Sequence, residues 1–229
     1  MKIFAIFVGF TLASSLMAAE SKKLFNGKDL TGWEGNPKLW SVKDGVIQGQ
    51  TTAENPTKGN TFLIYTNGEF SDFEIRFSYR IEGGNSGMQY RSKVKDAENW
   101  VVGGYQGDFE AGKTYSGILY DEAGGAGGRQ IMAQRGESVV WDEDCKKQVV
   151  GSVGKSDEIQ AKIKPGEWNT YVIIARGKQL MHQINGVKTV EVIDNCEAKR
   201  LKKGIFALQL HAGPPMLVQF KDIQLKELK

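Results

Sequence analysis

Within GGYQGDFEAGKTYSGILY, residues 103–120, three polar side chains recur at every second position: Gln106, Asp108 and Glu110. If Val101–Glu110 is a β-strand, these three share one sheet face, and Tyr105, Gly107 and Phe109 occupy the other. Two carboxyls and an amide in one row are costly to bury without partners, so that face meets either water or a ligand. A pair of carboxyls can move protons on a sugar, one group taking a proton where the other gives one. The solvated outer face of a β-sandwich would show the same alternation. The rest of the chain must decide between the two readings.

Other strands add groups of the same kind. Gln89 and Arg91 alternate on a strand over Ser86–Arg91, and Gln209 and His211 alternate on one over Gly204–His211. Asn85 and Arg129 are further polar groups suited to sugar hydroxyls, while Tyr115, Tyr120 and Trp100 offer rings for the apolar face of a sugar. His182, by contrast, lies on a strand just before a turn and reads as a satisfied or exposed histidine. Trp168, in the turn Gly166-Glu167-Trp168-Asn169, reads as core.

Gln106-x-Asp108-x-Glu110 resembles the Glu-x-Asp-x-Glu of laminarinase-type retaining glucanases, whose first Glu is the nucleophile and whose last is the acid/base. Here an amide stands at the nucleophile position. An amide cannot form a glycosyl-enzyme, which argues against ordinary double displacement. Asp108 and Glu110 remain as a proton-transfer pair.

These residues need elements that hold them. Met1–Ala19 reads as an export leader: Lys2, then an apolar run over Ile3–Met17, then the small residues Ala18 and Ala19. The run is short for a membrane span, so no transmembrane anchor is expected after cleavage, and the protein is expected to be periplasmic or secreted. The remaining 210 residues suit one β-sandwich domain over residues 20–229. They carry 29 basic against 27 acidic side chains, a net charge of +2 that gives no electrostatic case for nucleic acid. Cys145 and Cys196 are the only cysteines; a disulfide and two unpaired thiols are both open readings. With only two histidines, a structural zinc site is not expected.

Strand and turn signals run the length of the mature chain. Phe70–Ile81 alternates strictly, with Phe73, Ile75, Phe77 and Tyr79 on one face and Glu74, Arg76, Ser78 and Arg80 on the other. Asp44-Gly45 and Asn185-Gly186 each sit between alternating runs, the signature of a two-residue hairpin. Gly124–Gly128 reads as a flexible loop on the active face, and a short helix is expected within Asp142–Val150. Roughly a dozen short strands indicate an all-β jelly-roll sandwich of two antiparallel sheets.

The chain resembles the 3-keto-disaccharide hydrolase family, also described as 3-keto-glucoside 1,2-lyase/hydratase domains, which are concanavalin A-like jelly rolls. The resemblance opens at Leu24-Phe25-Asn26-Gly27-Lys28-Asp29-Leu30-Thr31-Gly32-Trp33 and continues through Asn85-Ser86-Gly87-Met88-Gln89-Tyr90-Arg91. It closes with Ser116-Gly117-Ile118-Leu119-Tyr120, Ile184-Asn185-Gly186 and Leu208-Gln209-Leu210-His211. There is one departure. Where the family commonly has Gly-Tyr-Glu-x-Gln-x-x-Asp, this chain has Gly104-Tyr105-Gln106-Gly107-Asp108-Phe109-Glu110.

The resemblance implies cleavage of 3-keto-glycosides by base-catalysed elimination and hydration. It makes Glu110 or Asp108 the base and His211 the partner acid or a metal ligand. Arg91, Tyr115 or a bound divalent metal would stabilise the enolate. Asn85, Gln89, Gln106, Tyr115, Tyr120, Arg129, Gln209 and Trp100 would hold the sugar. The alternative is a carbohydrate-binding sandwich in which the same side chains hold a sugar without reaction.

Overall fold

Alternating apolar and polar residues dictate nearly every element of the chain. The computed structural model describes residues 21–229, so the leader expected over Met1–Ala19 lies outside the described residues. The strands in order are β1 (Lys22–Lys23), β2 (Trp33–Glu34), β3 (Trp40–Lys43), β4 (Val46–Thr51), β5 (Thr61–Tyr65) and β6 (Phe73–Glu82). Next come β7 (Asn85–Asp96), β8 (Val101–Glu110), β9 (Leu119–Glu122), β10 (Ile131–Ala133), β11 (Glu137–Trp141) and β12 (Lys147–Ser152). After the helix α1 (Ser156–Gln160) follow β13 (Asn169–Arg176), β14 (Gln179–Ile184), β15 (Val187–Asp194), β16 (Ile205–Leu210) and β17 (Met216–Glu227).

Two sheets form, as the strand pattern implies. The ten-stranded one runs β12-β11-β15-β14-β13-β6-β17-β4-β3, with β1 also on β17; the seven-stranded one runs β10-β9-β8-β7-β16-β5-β2. The strand pairs are antiparallel apart from β11 against β15, which run parallel. The fold is therefore the all-β sandwich expected from the sequence.

The core fills the space between the sheets. Phe73, Ile75, Phe77 and Tyr79, the apolar face of β6, are all essentially inaccessible. Tyr79 stacks on Phe109 of β8 with ring centroids 3.8 Å apart, and Phe73 meets Phe206 of β16 edge-on at 4.8 Å. Each such side chain contributes about 1.5–3 kcal/mol of burial, so the pairing of β6 with β8 and β16 largely fixes how the sheets face each other. Both turn dipeptides act as expected: Asp44, Gly45, Asn185 and Gly186 all have positive φ, the geometry that lets a two-residue turn follow the twist of its strands.

Three local expectations are corrected. Lys147–Ser152 is a strand paired with β11, and the helix lies further on at Ser156–Gln160. Gly124–Gly128 is not a loose loop. Asp121 accepts the Ala126 and Arg129 amides at 2.6 and 2.7 Å, and a Cβ at Gly125 would come within 2.2 Å of the backbone of β8. Its glycine serves close approach. Trp168 is half-buried outside the core, with Lys221 Nζ 4.3 Å and the Arg80 guanidinium 5.3 Å from its ring centroid.

Cys145 and Cys196 form a disulfide, tying the turn after β11 to the segment after β15 across 51 residues of chain. Closing a loop of that length stabilises a fold by about 4 kcal/mol through the unfolded state. Replacing both cysteines with alanine is expected to lower the unfolding free energy by about that amount, measured by urea denaturation. An unchanged midpoint would show that the bridge constrains nothing the rest of the fold does not already hold.

Candidate active site

The face of β8 turned away from the core carries Gln106, Asp108 and Glu110, and neighbouring strands complete the wall. Register sets Asn85 opposite Glu110, Gly87 opposite Asp108 and Gln89 opposite Gln106 on β7, with Tyr120 of β9 opposite Gln106 on the other side. Gly87 has a specific task here. A Cβ at that position would lie 2.5 Å from Gln106 Cγ, so only glycine leaves Gln106 room to lie across the sheet.

The amides form a directed network. Ser92 Oγ donates to Gln89 Oε1 at 2.6 Å, and Gln89 Nε2 donates to Gln106 Oε1 at 2.6 Å. Gln106 Nε2 then donates to Asp108 Oδ1 at 2.6 Å and to Gln209 Oε1 at 3.2 Å. Gln209 Nε2 donates to Glu122 Oε2 at 3.1 Å, and Asn60 Nδ2 to Glu122 Oε1 at 3.0 Å. The relay ends on two carboxyls, Asp108 and Glu122. Such a network fixes side chains that would otherwise be costly to bury.

Above it lies a cavity of about 510 Å³ lined by Asn60, Asn85, Gln106, Asp108, Glu110, Tyr115, Ile118, Tyr120, Glu122, Gln130, Ile131, Gln209 and His211. Asp108 is 6% exposed, and this burial pushes its carboxyl well above the usual range; the Gln106 and Asn85 amides pull the other way, and the charge of Glu122 adds to the rise. Burial also raises Glu122, against its hydrogen bonds from Asn60 and Gln209 and the pull of His211. His211 Nδ1 lies 2.5 Å from the Ala212 carbonyl, which can only accept. The proton is therefore on Nδ1, and Nε2 is left for other work.

A cavity with a desolvated carboxyl, a second acid, a histidine, tyrosines and amides fits acid–base chemistry on a polyhydroxy substrate. The model of the 3-keto-alpha-glucoside-1,2-lyase-like domain matches residues 20–226. The chain belongs to this family. No functionally curated protein matches it. Among solved structures, it is similar to a candidate glycosyl hydrolase from Parabacteroides distasonis ATCC 8503, with 21% identity and a TM-score of 0.58 over 91% of this chain and all of that one. It is also similar to the carbohydrate-binding module CBM66 from Bacillus subtilis, with 15% identity and a TM-score of 0.55, covering 86% of this chain and 96% of the module. A Bacillus subtilis protein with a galectin-like fold shares 12% identity at a TM-score of 0.58, over 91% and 94% of the two chains. At these identities the likenesses show the shared sandwich.

Within this lyase-like domain, the cavity brings together Asn85, Gln106, Asp108, Glu110, Tyr115, Tyr120, Gln209 and His211. Gln89 stands behind them, fully buried, as a link in the amide network. Glu110 is committed to the loop beside the cavity: its Oε1 accepts the Thr114 amide and, at 2.9 Å, the Tyr115 amide. That leaves Asp108 as the carboxyl best placed for proton transfer.

Three expected site residues lie elsewhere. Arg91 is 1% exposed and donates to the Ser71, Gly177 and Leu201 carbonyls and to Asp72, fastening loops together. A register shift after Tyr90 and a positive φ at Arg91 break the alternation that would have set it beside Gln89. Arg129 makes a paired ion contact with the fully buried Asp194, at 2.9 and 2.8 Å, and lies over Trp141. Trp100 lines a separate, neighbouring cavity.

The sequence reading also missed Asn60 and Glu122. Glu122 sits two residues after Tyr120 on the same strand, so alternation counted from Tyr120 would have found it. Asn60 lies outside the strands and has no such signal. Glu122 already has both oxygens engaged by amides, and among the described residues no group of three or more His, Cys, Asp or Glu side chains is arranged to hold a metal ion. The donor set does not fit the divalent metal considered from the resemblance.

Proposed function

We propose that the protein cleaves 3-keto-glycosides by elimination followed by hydration, with net hydrolysis. Family membership supports the substrate class. The observation that carries the mechanism is Asp108, a buried carboxyl on the cavity wall beside an amide where a glycosidase nucleophile would stand.

A keto group at C3 acidifies the proton on C2. Ionised Asp108 takes that proton, and burial makes its carboxylate a stronger base than a solvated one. Charge develops on the C3 oxygen, where the cavity's amides and tyrosine hydroxyls can donate hydrogen bonds. The C3 carbonyl re-forms as C1–C2 becomes a double bond and the C1–O bond breaks. Protonated His211 gives its Nε2 proton to the leaving oxygen. The proton on Asp108, on the wall of the cavity, exchanges with solvent; water then adds across C1–C2, its hydroxyl to C1, Asp108 giving this exchanged proton to C2 while His211 recovers a proton from that water. No covalent nucleophile is needed.

Turnover in heavy water tests the route. The 3-keto-glycoside should be cleaved with deuterium appearing at C2 of the sugar product, while its unoxidised counterpart stays intact. Cleavage without deuterium at C2 would point to direct hydrolysis. A lining rich in amides and tyrosines also suits a sugar held without reaction, and binding with no turnover of either compound would favour that second reading.

A further inference from the structure

We propose that Asn60 is a positioning residue: it holds the turn that aims His211 at the leaving oxygen, and it ties that turn to the frame that holds Asp108. This rests on the cleavage reading above. The ladder between β16 and β5 ends at the pair Leu210 and Thr61, so His211 and Ala212 lie past its last rung, and in the same register Asn60 stands opposite His211. Backbone groups beyond a ladder must find other partners. Asn60 supplies one, its Oδ1 accepting the Ala212 amide at 3.0 Å. The turn continues through Gly213, at a φ of +141°, and through Pro214 and Pro215, which have no N–H to donate. Its far end is fixed at Met216, whose amide donates to Thr51 Oγ1 at 3.1 Å. Its near end is fixed by Asn60.

Ala212 carries that constraint to the imidazole. Its carbonyl accepts from His211 Nδ1, so a shift of Ala212 turns the ring and moves Nε2, the atom that faces the leaving oxygen. Asn60 is anchored in turn. Its Nδ2 donates to Glu122 Oε1 at 3.0 Å, Gln209 donates to the other Glu122 oxygen, and Gln106 donates to both Gln209 and Asp108. One unbroken path of hydrogen bonds therefore runs from Asp108 to His211, and Asn60 is the step at which it passes from the sheet to the turn. An amide suits that step because it carries a donor and an acceptor on one plane, whereas a carboxylate would repel Glu122. Elimination needs base and acid set for the same sugar ring, and a misplacement of about 1 Å costs on the order of 10²-fold.

The test compares leaving groups. Methoxide is a poor one and needs the proton from His211; 4-nitrophenolate leaves without it. In Asn60→Ala, the ratio of kcat/KM for 4-nitrophenyl 3-keto-glucoside to that for methyl 3-keto-glucoside should rise about 10²-fold. Asn60→Leu, of similar shape but without either bond, should raise it in the same way. An unchanged ratio, with both glycosides slowed alike, overturns the role. A second readout does not depend on turnover. Nitrogen NMR in alkaline solution should show the wild-type His211 imidazole with its proton on Nδ1, the signals being assigned by their loss in His211→Gln. In Asn60→Ala that form should give way to a mixture of both tautomers. If neither glycoside is cleaved but the Nδ1–H form is lost in the variant, the positioning role stands and the cleavage reading falls. If both are cleaved and the variant keeps the Nδ1–H form, the cleavage reading stands and the positioning role falls.

Discussion

Asp108→Asn is expected to lower kcat/KM on a 3-keto-glycoside by about 10²–10⁴-fold, the usual worth of a positioned proton-transfer group, and at the same time to stabilise the protein at neutral pH. The two effects have one cause. Burial raises the Asp108 carboxyl above its ordinary value of 3.8, so the folded state prefers the protonated form. A group raised on folding contributes favourably at pH below its unfolded value, and that contribution is lost as pH rises through the folded value. At neutral pH the unfolded chain ionises freely at this position while burial opposes ionisation in the folded chain, a penalty that an amide does not carry. Asparagine keeps an oxygen for Gln106 Nε2, the 2.6 Å bond Asp108 now accepts, and has nothing to titrate. The stability gain should be present at pH 7 and shrink as the pH approaches 4. Activity assays and denaturation at both pH values decide the matter. A variant that is inactive yet less stable at pH 7 would mean the carboxylate is structural, and one that stays active would remove Asp108 from the mechanism.

The same residues show what could be read from sequence. β6 and the two hairpins were legible because each depends on neighbours along the chain: alternation selects the buried face, and a dipeptide with two positive φ values sets the turn. The row Gln106, Asp108 and Glu110 was legible for the same reason. What failed depended on departures from regularity or on distant partners. Arg91 was misplaced because one bulge in β7 turns its side chain away from the face that Gln89 shares with Gln106. Glu110 was ranked level with Asp108 because nothing in the strand pattern reveals that the following loop would use its oxygen. Asn60 and Glu122 meet across 62 residues, and only the folded sheet brings them together. Alternation from Tyr120 points to Glu122 as a second acid, but nothing along the chain points to its partner Asn60. The amide at position 106 gains its meaning in the same way. On the sequence it is a missing nucleophile; in the fold it joins Asp108 to Gln209 and, through it, to Glu122.

Directly behind the site strand, acid should open the fold through His182. This residue is fully buried between the sheets, with Nε2 3.0 Å from the Tyr90 hydroxyl and Nδ1 3.1 Å from that of Tyr171. A neutral imidazole suits that position, since one nitrogen donates to a hydroxyl while the other accepts from one. An imidazolium would need two acceptors and a compensating charge where there is none, so burial lowers its pKa from 6.5 to about 3. The sign follows from where the proton is bound. Between about pH 6.5 and 3 the unfolded chain holds a proton on this residue that the folded chain does not. Stability is full above 6.5, falls by up to about 1.4 kcal/mol per pH unit below it, and levels off near pH 3, a total of about 5 kcal/mol. Carboxyls titrate over the same range, and Asp108 acts in the opposite direction, so the informative quantity is a difference between two proteins. His182→Gln, which keeps one donor and one acceptor and cannot ionise, should be less stable than wild type at pH 7 because its shape is wrong for the site. That deficit should shrink by about 3 kcal/mol on going from pH 6.5 to pH 4. Parallel stability curves for the two proteins would mean that the folded state accepts a proton at His182 with little penalty. The Tyr90–His182–Tyr171 row would then have to be open to water rather than sealed behind Gly107, where a Cβ would already stand 3.0 Å from the Tyr171 hydroxyl.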